Sequence, residues 1–600
     1  MSTVVKRRRT EDEVVLSGPG GPWHPSAPRT IRTAYQLADD LRGWSLWQKH
    51  LAARERLPAG RLVRAHRSPL VWHLPADRFD STVELAAALA QAGTAKGAKA
   101  RQHEGAAHEW LDRFATFGRD LDFAVGCLAW ADALAGLAGQ MSGRVWWKLL
   151  NALVAEAGRN AWTVRDPLIS LLLASELPLT LAYSFPELAN CRDLIEPARE
   201  AYASATGELF DGEGLICADH LAWLRPILAS WTRSRAIGQL VARSWVEQGA
   251  LDQYPQAVQH ALRLSRADGR AVFSAGDSEA LDADMVAAAL RLADDPTTRR
   301  VARLTTVGRT SSRPPKDLPS PSFEGEWAAT AVLRSAWRPS APRLTVAYPG
   351  RTVQMELALG KDLIWSGDWE FDVHVNGQHL APVGSWEQVC WISDNEVDYL
   401  ELALALEGNV SVARHIVMSR EHEFLILADA ILGGEHATLE YRGGLPLTSS
   451  CSFQVESRTR EGARLVRGRP RGRVLPLALP EWRSASCRGS LQQGDRGLEL
   501  RQSAVGQRLF APLFVDLNAR RVRREVTWRQ LTVGENREIV PPEVAVGYRV
   551  QAGRRQWLVY RSLGPVAVRS VLGCNLMHEL MIADFQADGS VERIVEIEEE

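Results

Sequence analysis

The sequence predicts a multidomain α + β protein, an amino-terminal α/α toroid followed by a large antiparallel β-sandwich. Three observations carry this reading. From about Thr30 to Asp295 the chain is rich in Ala and Leu, with apolar residues recurring every three or four positions. A Pro- and Ser-rich break follows, running from Gly308 to Ser322. Beyond it the apolar period becomes two, the signature of strands with one buried face.

Taken in order, residues 1–29 are polar and rich in Gly and Pro around Ser17-Gly-Pro-Gly-Gly-Pro-Trp23, and are expected to form a mobile arm. Residues 30–300 hold sets such as Tyr35, Leu37, Leu41 and Trp44; Val83, Leu85 and Leu89; and Phe123, Cys127, Trp130 and Leu134. Short Gly, Pro or Asp breaks separate them into roughly ten to twelve helices. So many apolar stripes need a closed or stacked arrangement, and the lack of a fixed repeat disfavours a solenoid. Residues 301–325 are the linker, and 326–600 the sandwich. Within the sandwich Leu400, Leu402, Leu404 and Leu406 alternate with Glu401, Ala403 and Ala405; Val410 to Met418 and Phe424 to Leu432 supply the next strands.

Composition narrows the function. Apolar residues make up 46% and charged residues 24% of the 600, enough for large cores. Lys and Arg total 71 against 72 Asp and Glu, so no overall field favours nucleic acid or an anionic membrane. The seven cysteines are scattered with no C-x-x-C pair, as expected of reduced thiols rather than a zinc ribbon or disulfide framework. No spacing supplies three or four converging metal ligands, and no cofactor is expected. The run Lys6–Arg9 is followed by Glu11, Asp12 and Glu13 where a signal peptide needs an apolar core, and no stretch approaches about 18 uninterrupted apolar residues. The expected compartment is the cytoplasm. No P-loop, dinucleotide fingerprint or Gly-x-Ser-x-Gly occurs.

The most informative stretch is residues 211–228. A turn pair, Asp211-Gly212, leads into a helical pattern whose stripe is Cys217, Leu221, Leu224, Leu228 and Trp231. His220 and Trp223 are three apart on another face, an imidazole beside an indole, suited to gripping a sugar ring and moving a proton. With Gly158-Arg-Asn160-Ala-Trp162, the apolar Leu168 to Leu181, and Ser184-Phe-Pro-Glu-Leu188, this stretch resembles the toroid of the heparinase II/III-like polysaccharide lyases. Arg270 to Asp277 is similar to the Gly-Asp segment near the end of those toroids, and Ala413 to Arg420 with Leu427-Ala-Asp429 to their sandwich strands.

The resemblance implies β-elimination on a uronate-containing polysaccharide or oligosaccharide, in a cleft between toroid and sandwich. Such a site must neutralise the sugar carboxylate, place a base at the neighbouring carbon and protonate the leaving oxygen. It implies Asn160, at a helix start, as carboxylate holder and His220 as a catalytic residue, with Arg225 as charge partner and Trp223 and Trp162 as binding residues. Two departures stand out. Asp219 occupies the position of the family's catalytic Tyr, with Tyr183, Tyr202 and Tyr399 as possible replacements. Trp365-Ser-Gly-Asp368 stands where the family has His-x-His-x-Asp, leaving Trp365 and Asp368 as binding candidates without the histidines.

One further cluster, Trp386 to Glu401, packs two indoles, Tyr399 and five carboxylates into sixteen residues. It suits a sugar-binding surface, a glycosidase acid pair, or a charged strand edge that blocks sheet-to-sheet pairing. The expected alternatives to a lyase are a non-catalytic carbohydrate-binding descendant of the same fold and, third, a glycoside hydrolase.

Overall fold

The computed structural model describes residues 23–36, 40–53, 69–74, 89, 98–114, 118–242, 248–274, 280–305, 317–455, 460–483, 487–495, 497–586 and 589–598. Most of the expected arm, Val83 and Leu85, linker residues 306–316 and the end of the Gly-Asp segment, Ala275 to Asp277, lie outside them. The chain divides into two compact units. One is Met1–Ile216 with His220–Ala261 and Asp277–Thr298; the other is Cys217–Asp219 with Leu262–Gly276 and Arg299–Glu600.

The first unit is helical. Its helices include Arg29–Gln36, Asp40–Ala52, Ala98–Phe114, Leu121–Leu137, Gly143–Ala157, Leu177–Ser184, Ile195–Leu209, Leu224–Val241 and Ala283–Ala293. Leu121–Leu137 opens on Asp120, whose carboxylate accepts the Phe123 N–H at 2.9 Å, and almost every side chain it carries is buried. It packs on Leu177–Ser184, which packs in turn on Leu224–Val241. Trp47, Trp130, Trp146 and Trp231 are wholly buried, and each contributes roughly 4–6 kcal/mol of apolar transfer energy before entropy is counted. Pro167–Ser184 is long and apolar enough to cross a membrane, but 89% of it is buried within the protein, the pattern of a core segment. All seven cysteines are unpaired thiols.

The second unit is built of antiparallel strands. They are β1 (Phe323–Gly325), β2 (Thr330–Arg334), β3 (Pro342–Ala347), β4 (Gln354–Leu359), β5 (Asp362–Asp368), β6 (Glu370–Val375), β7 (Gln378–His379), β8 (Glu387–Ser393), β9 (Val397–Leu406), β10 (Val410–Ser419), β11 (Phe424–Gly433) and β12 (Ala437–Leu445). Then come β13 (Ser452–Val455), β14 (Ala463–Arg467), β15 (Arg469–Pro476), β16 (Gly489–Gly494), β17 (Gly497–Gly506), β18 (Leu509–Asp516) and β19 (Val526–Leu531). The last are β20 (Gly534–Glu535), β21 (Glu538–Ile539), β22 (Ala545–Ala552), β23 (Arg555–Ser562), β24 (Arg569–Val571), β25 (Cys574–Leu576), β26 (Leu580–Phe585) and β27 (Val591–Ile597). The central sheet has eight strands in the order β13-β14-β15-β18-β11-β10-β9-β8.

The alternation in β9 explains the layering. Leu400, Leu402, Leu404 and Leu406 join one core with residues of β2 to β6, β12, β16 and β17. Val397 and Tyr399, pointing the other way, join a second core with Trp528, Tyr548, Trp557 and Ile582 of the sheet β19-β22-β23-β26-β27. That sheet is itself covered on its far side, where Leu558, Tyr560, Met581 and Ala583 meet Val571 and Leu576. The carboxyl half is therefore a stack of more than two layers, and β9 is covered on both faces.

The Arg414 and Asp429 of the sandwich motif have a physical reason. They are paired residues of β10 and β11, bonded side to side at 2.8 Å twice and fully buried. Arg414 also donates to Trp369 O at 3.0 Å and lies 3.9 Å over the Trp369 ring, while the Tyr441 hydroxyl donates to Asp429 at 2.7 Å. Every charged group in the cluster has a partner, the condition under which a buried pair is tolerable.

Candidate functional site in the helical unit

The site is organised by a turn. Asp211 Oδ1 accepts the N–H groups of Glu213 (2.9 Å) and Leu215 (2.8 Å), while Gly214 N–H returns to Asp211 O at 3.1 Å. Gly214 has φ of 77°, and a Cβ there would lie 2.6 Å from Gln253 O and 2.7 Å from Ala257 N. Gly214→Ala is therefore expected to lower the unfolding free energy of the helical unit by at least ~2 kcal/mol, read as a shift in the urea midpoint of its helical signal.

Past the turn, Ala218–Trp223 is a 3₁₀ turn, not the continuous α-helix the spacing predicts; the helix itself starts at Leu224. Pro226 is the reason. It has no N–H to give to the carbonyl of residue 222, so it is accommodated only in a helix's first turn. In a 3₁₀ turn residues three apart lie one above the other. His220 and Trp223, both half-buried, therefore share one edge, while Leu221 between them is buried and Asp219 is exposed.

Arg225 is 7% exposed and faces inward. Its charge acts on His73, a residue the sequence reading passed over. His73 Nε2 accepts the Asp282 N–H at 3.1 Å, so its proton sits on Nδ1, and Asp282 Oδ1 caps the helix Ala283–Ala293 through Asp284 and Met285. Burial, reinforced by Arg225 and opposed by Asp282, lowers the His73 pKa to about 4. The folded ring thus binds its proton near pH 4 and the unfolded ring near 6.5, so stability is full above 6.5 and falls as pH drops through that window. The loss attributable to His73 approaches ~3 kcal/mol at the acid end. Between pH 7 and pH 4.5, His73→Gln is expected to lose less stability than the parent in urea titrations.

Asn160 closes a helix and does not open one. The helix Gly143–Ala157 ends at Gly158, and the Asn160 amide nitrogen donates back to Glu156 O at 2.6 Å and Glu156 Oε1 at 3.1 Å. Glu156 is 1% exposed; burial pushes its pKa up, but the hydrogen bonds of Arg119 and Asn160 hold it below the usual carboxylate range. Trp162, two residues on, is half-buried. Of the phenols, Tyr202 is 2% exposed and burial pushes its pKa far up, whereas Tyr183, at the end of Leu177–Ser184, is half-buried.

The helix below His220 is locked from underneath. Glu176, in a π turn (Leu172–Glu176), bonds Arg233 Nε at 2.5 Å and Nη2 at 2.9 Å and accepts the Ser230 hydroxyl at 2.6 Å. Arg233 Nη1 reaches Pro69 O at 3.0 Å, tying in the segment that carries His73. Single π turns inside α-helices recur at functional sites.

Three expectations in the sheet unit change. Trp365 is 0% exposed and part of the core, so its ring presents no binding surface. Tyr399 is also 0% exposed; its hydroxyl bonds Glu401 at 2.5 Å and His415 Nδ1 at 3.0 Å between two sheets. Asp398 is 0% exposed and bonded to Arg420, Ser322 and Ser393, and Glu401 is 6% exposed, so these two carboxylates of the stretch are not open acids, while Glu387, Asp394 and Glu396 are exposed. β8, which it includes, is an edge strand with Glu387 outward, as the edge-guard reading has it. Asp368 is exposed at the end of β5.

Solved structures decide the fold. A heparinase III, the BT4657 gene product, superposes with a TM-score of 0.62 at 10% identity, over 93% of this chain and 100% of that one. The chain has the fold of a heparinase III. A second heparinase III gives a TM-score of 0.61 at 9% identity, covering 90% and 99%. The heparan sulfate lyase HepC from Pedobacter heparinus gives 0.57 at 13%, covering 90% and 98%. No family model and no curated sequence matches the chain. The relationship is thus one of fold at wide sequence divergence.

Proposed function

We propose that this chain acts on an acidic, uronate-bearing polysaccharide or oligosaccharide by β-elimination, with a toroidal helical domain carrying the chemistry. The observation that carries the proposal is the heparinase III fold over 93% of the chain, combined with His220 and Trp223 on one accessible edge of the helical unit. His220 removes the proton from the carbon bearing the carboxylate. The electron pair becomes the new carbon–carbon double bond, the bond to the glycosidic oxygen breaks, and that oxygen takes a proton. Tyr183, the more accessible of the two candidate phenols Tyr183 and Tyr202, donates it, because a carboxylate such as Asp219 is a poor substitute for a phenol as acid to the leaving group. Trp223 and Trp162 supply stacking faces, and the Asn160 amide turns from Glu156 to the sugar carboxylate.

A second reading, a carbohydrate-binding descendant without catalysis, is favoured by one observation: both Asn160 amide hydrogens are engaged by Glu156. The two separate in one experiment. Incubation with heparan sulfate, hyaluronan and alginate should raise ultraviolet absorbance from the unsaturated product, and Trp223→Ala should raise KM by about tenfold, the loss of ~1.4 kcal/mol of stacking. Binding lost in Trp223→Ala without any absorbance change supports the second reading.

A further inference from the structure

The sheet unit holds a polar pocket that this chemistry does not use. β2 and β3 pair so that Arg334 lies directly opposite Arg343, and the two residues are 5% and 4% exposed. Like charges facing across a ladder repel, and a buried guanidinium needs partners. Among the described residues the carboxylates fall short. Glu356, on β4, is engaged by Arg266 (Nε 3.0 Å, Nη2 2.5 Å) and by Phe273 N–H at 2.7 Å, leaving Arg343 Nη2 at 3.5 Å. Arg343 Nη1 donates to Ser265 O, and its Nε is buried with no hydrogen-bond partner among the described residues. Arg334 spends Nε on Ala336 O at 3.0 Å and Nη2 on Arg338 O at 3.4 Å, and its guanidinium lies 4.9 Å over the Trp337 ring; its Nη1 is buried with no hydrogen-bond partner among the described residues.

The electrostatics point the same way. Burial, with Arg343 and Arg263 adding repulsion, lowers the Arg334 pKa to about 9; burial lowers that of Arg343 to about 10 although Glu356 pulls the other way. Exposed Asp268 draws on Arg343 as a weaker neighbour. Both arginines line a pocket with Ser265, Arg266, Thr305 and Gly360, whose cavity volume is about 10 Å³, room for one small ion and no more. Unfilled N–H donors from two strands, in a field of unbalanced positive charge, match a compact dianion better than a single carboxylate.

We propose that this pocket binds a tetrahedral oxyanion, phosphate or sulfate, free or as the ester of a small saccharide, through Arg334 Nη1 and Arg343 Nε. The assignment is independent of the elimination chemistry at His220. The test is calorimetric titration of the full chain with inorganic phosphate, inorganic sulfate and glucosamine 6-sulfate, at ionic strength held constant with chloride. Saturable binding is expected, weakened at least tenfold in Arg334→Met and Arg343→Met. Binding of the inorganic ions alone assigns a free ion; tighter binding of the sulfated sugar assigns the ester. Thermal melts give a second readout: relieved of the facing like charge, the variants should melt no lower than the parent in chloride and gain nothing from phosphate or sulfate. An unchanged parent melt and no heat beyond that of chloride overturns the proposal, as does equal binding by parent and variants.

Discussion

His220→Ala is expected to lower kcat for uronate elimination by about 10²- to 10⁴-fold with KM changed little, because a positioned proton acceptor contributes that much to the transition state and little to ground-state binding. The split matters. His220 shares its edge with Trp223, so a general collapse of the 3₁₀ turn would raise KM as well. His220→Gln keeps a polar side chain but cannot take the proton, and should be as inactive as the alanine variant. Steady-state rates followed by the absorbance of the unsaturated product, with circular dichroism to verify folding, check this. Activity within a few-fold of the parent in both variants would remove His220 from the mechanism.

Arg233→Met is expected to lower stability by roughly 3–5 kcal/mol, the cost of leaving one partner of a buried ion pair uncompensated. Glu176 is 2% exposed and, among the described residues, its carboxylate would keep only the Ser230 hydroxyl. Arg233 also holds Pro69 O, so the loss should reach the segment carrying His73. The double variant Arg233→Met, Glu176→Leu removes both charges and should recover most of the stability. Chemical denaturation of the helical signal measures both. A cost below ~1 kcal/mol for the single variant would mean that water replaces the guanidinium and that the π turn is not locked as described.

The strands were legible because their alternation was written in Leu400, Leu402, Leu404 and Leu406, and one buried face is all that a period of two needs. The fate of the other face was not. Glu401 and Tyr399 read as solvent-facing, yet a further sheet, remote in sequence, covers them. Periodicity records that a face is polar; it does not record which distant strand satisfies it. The same limit hid His73, whose hydrogen-bond partner is 209 positions away and whose surroundings leave no local mark. Asn160 shows a different failure. The motif put the residue at a helix start, but it follows a helix end and its amide bonds backward to Glu156, and only the chain path after Gly158 determines that direction. The turn was legible at Asp211, because Asx geometry is a local property, but the glycine whose left-handed backbone it requires is Gly214, not the Gly212 of the turn pair. Arg414 and Asp429 were legible as a motif, and their pairing across β10 and β11 explains why the two residues occur together.

The most direct measurement is the mass of the oligosaccharides released from a purified uronate polymer by the intact protein. Elimination adds no water across the cleaved bond, so the account predicts one fragment of each pair lighter by a water than the hydrolytic product, and absorbing in the ultraviolet. Fragments carrying the added water and a new reducing end, with no unsaturation, would contradict it.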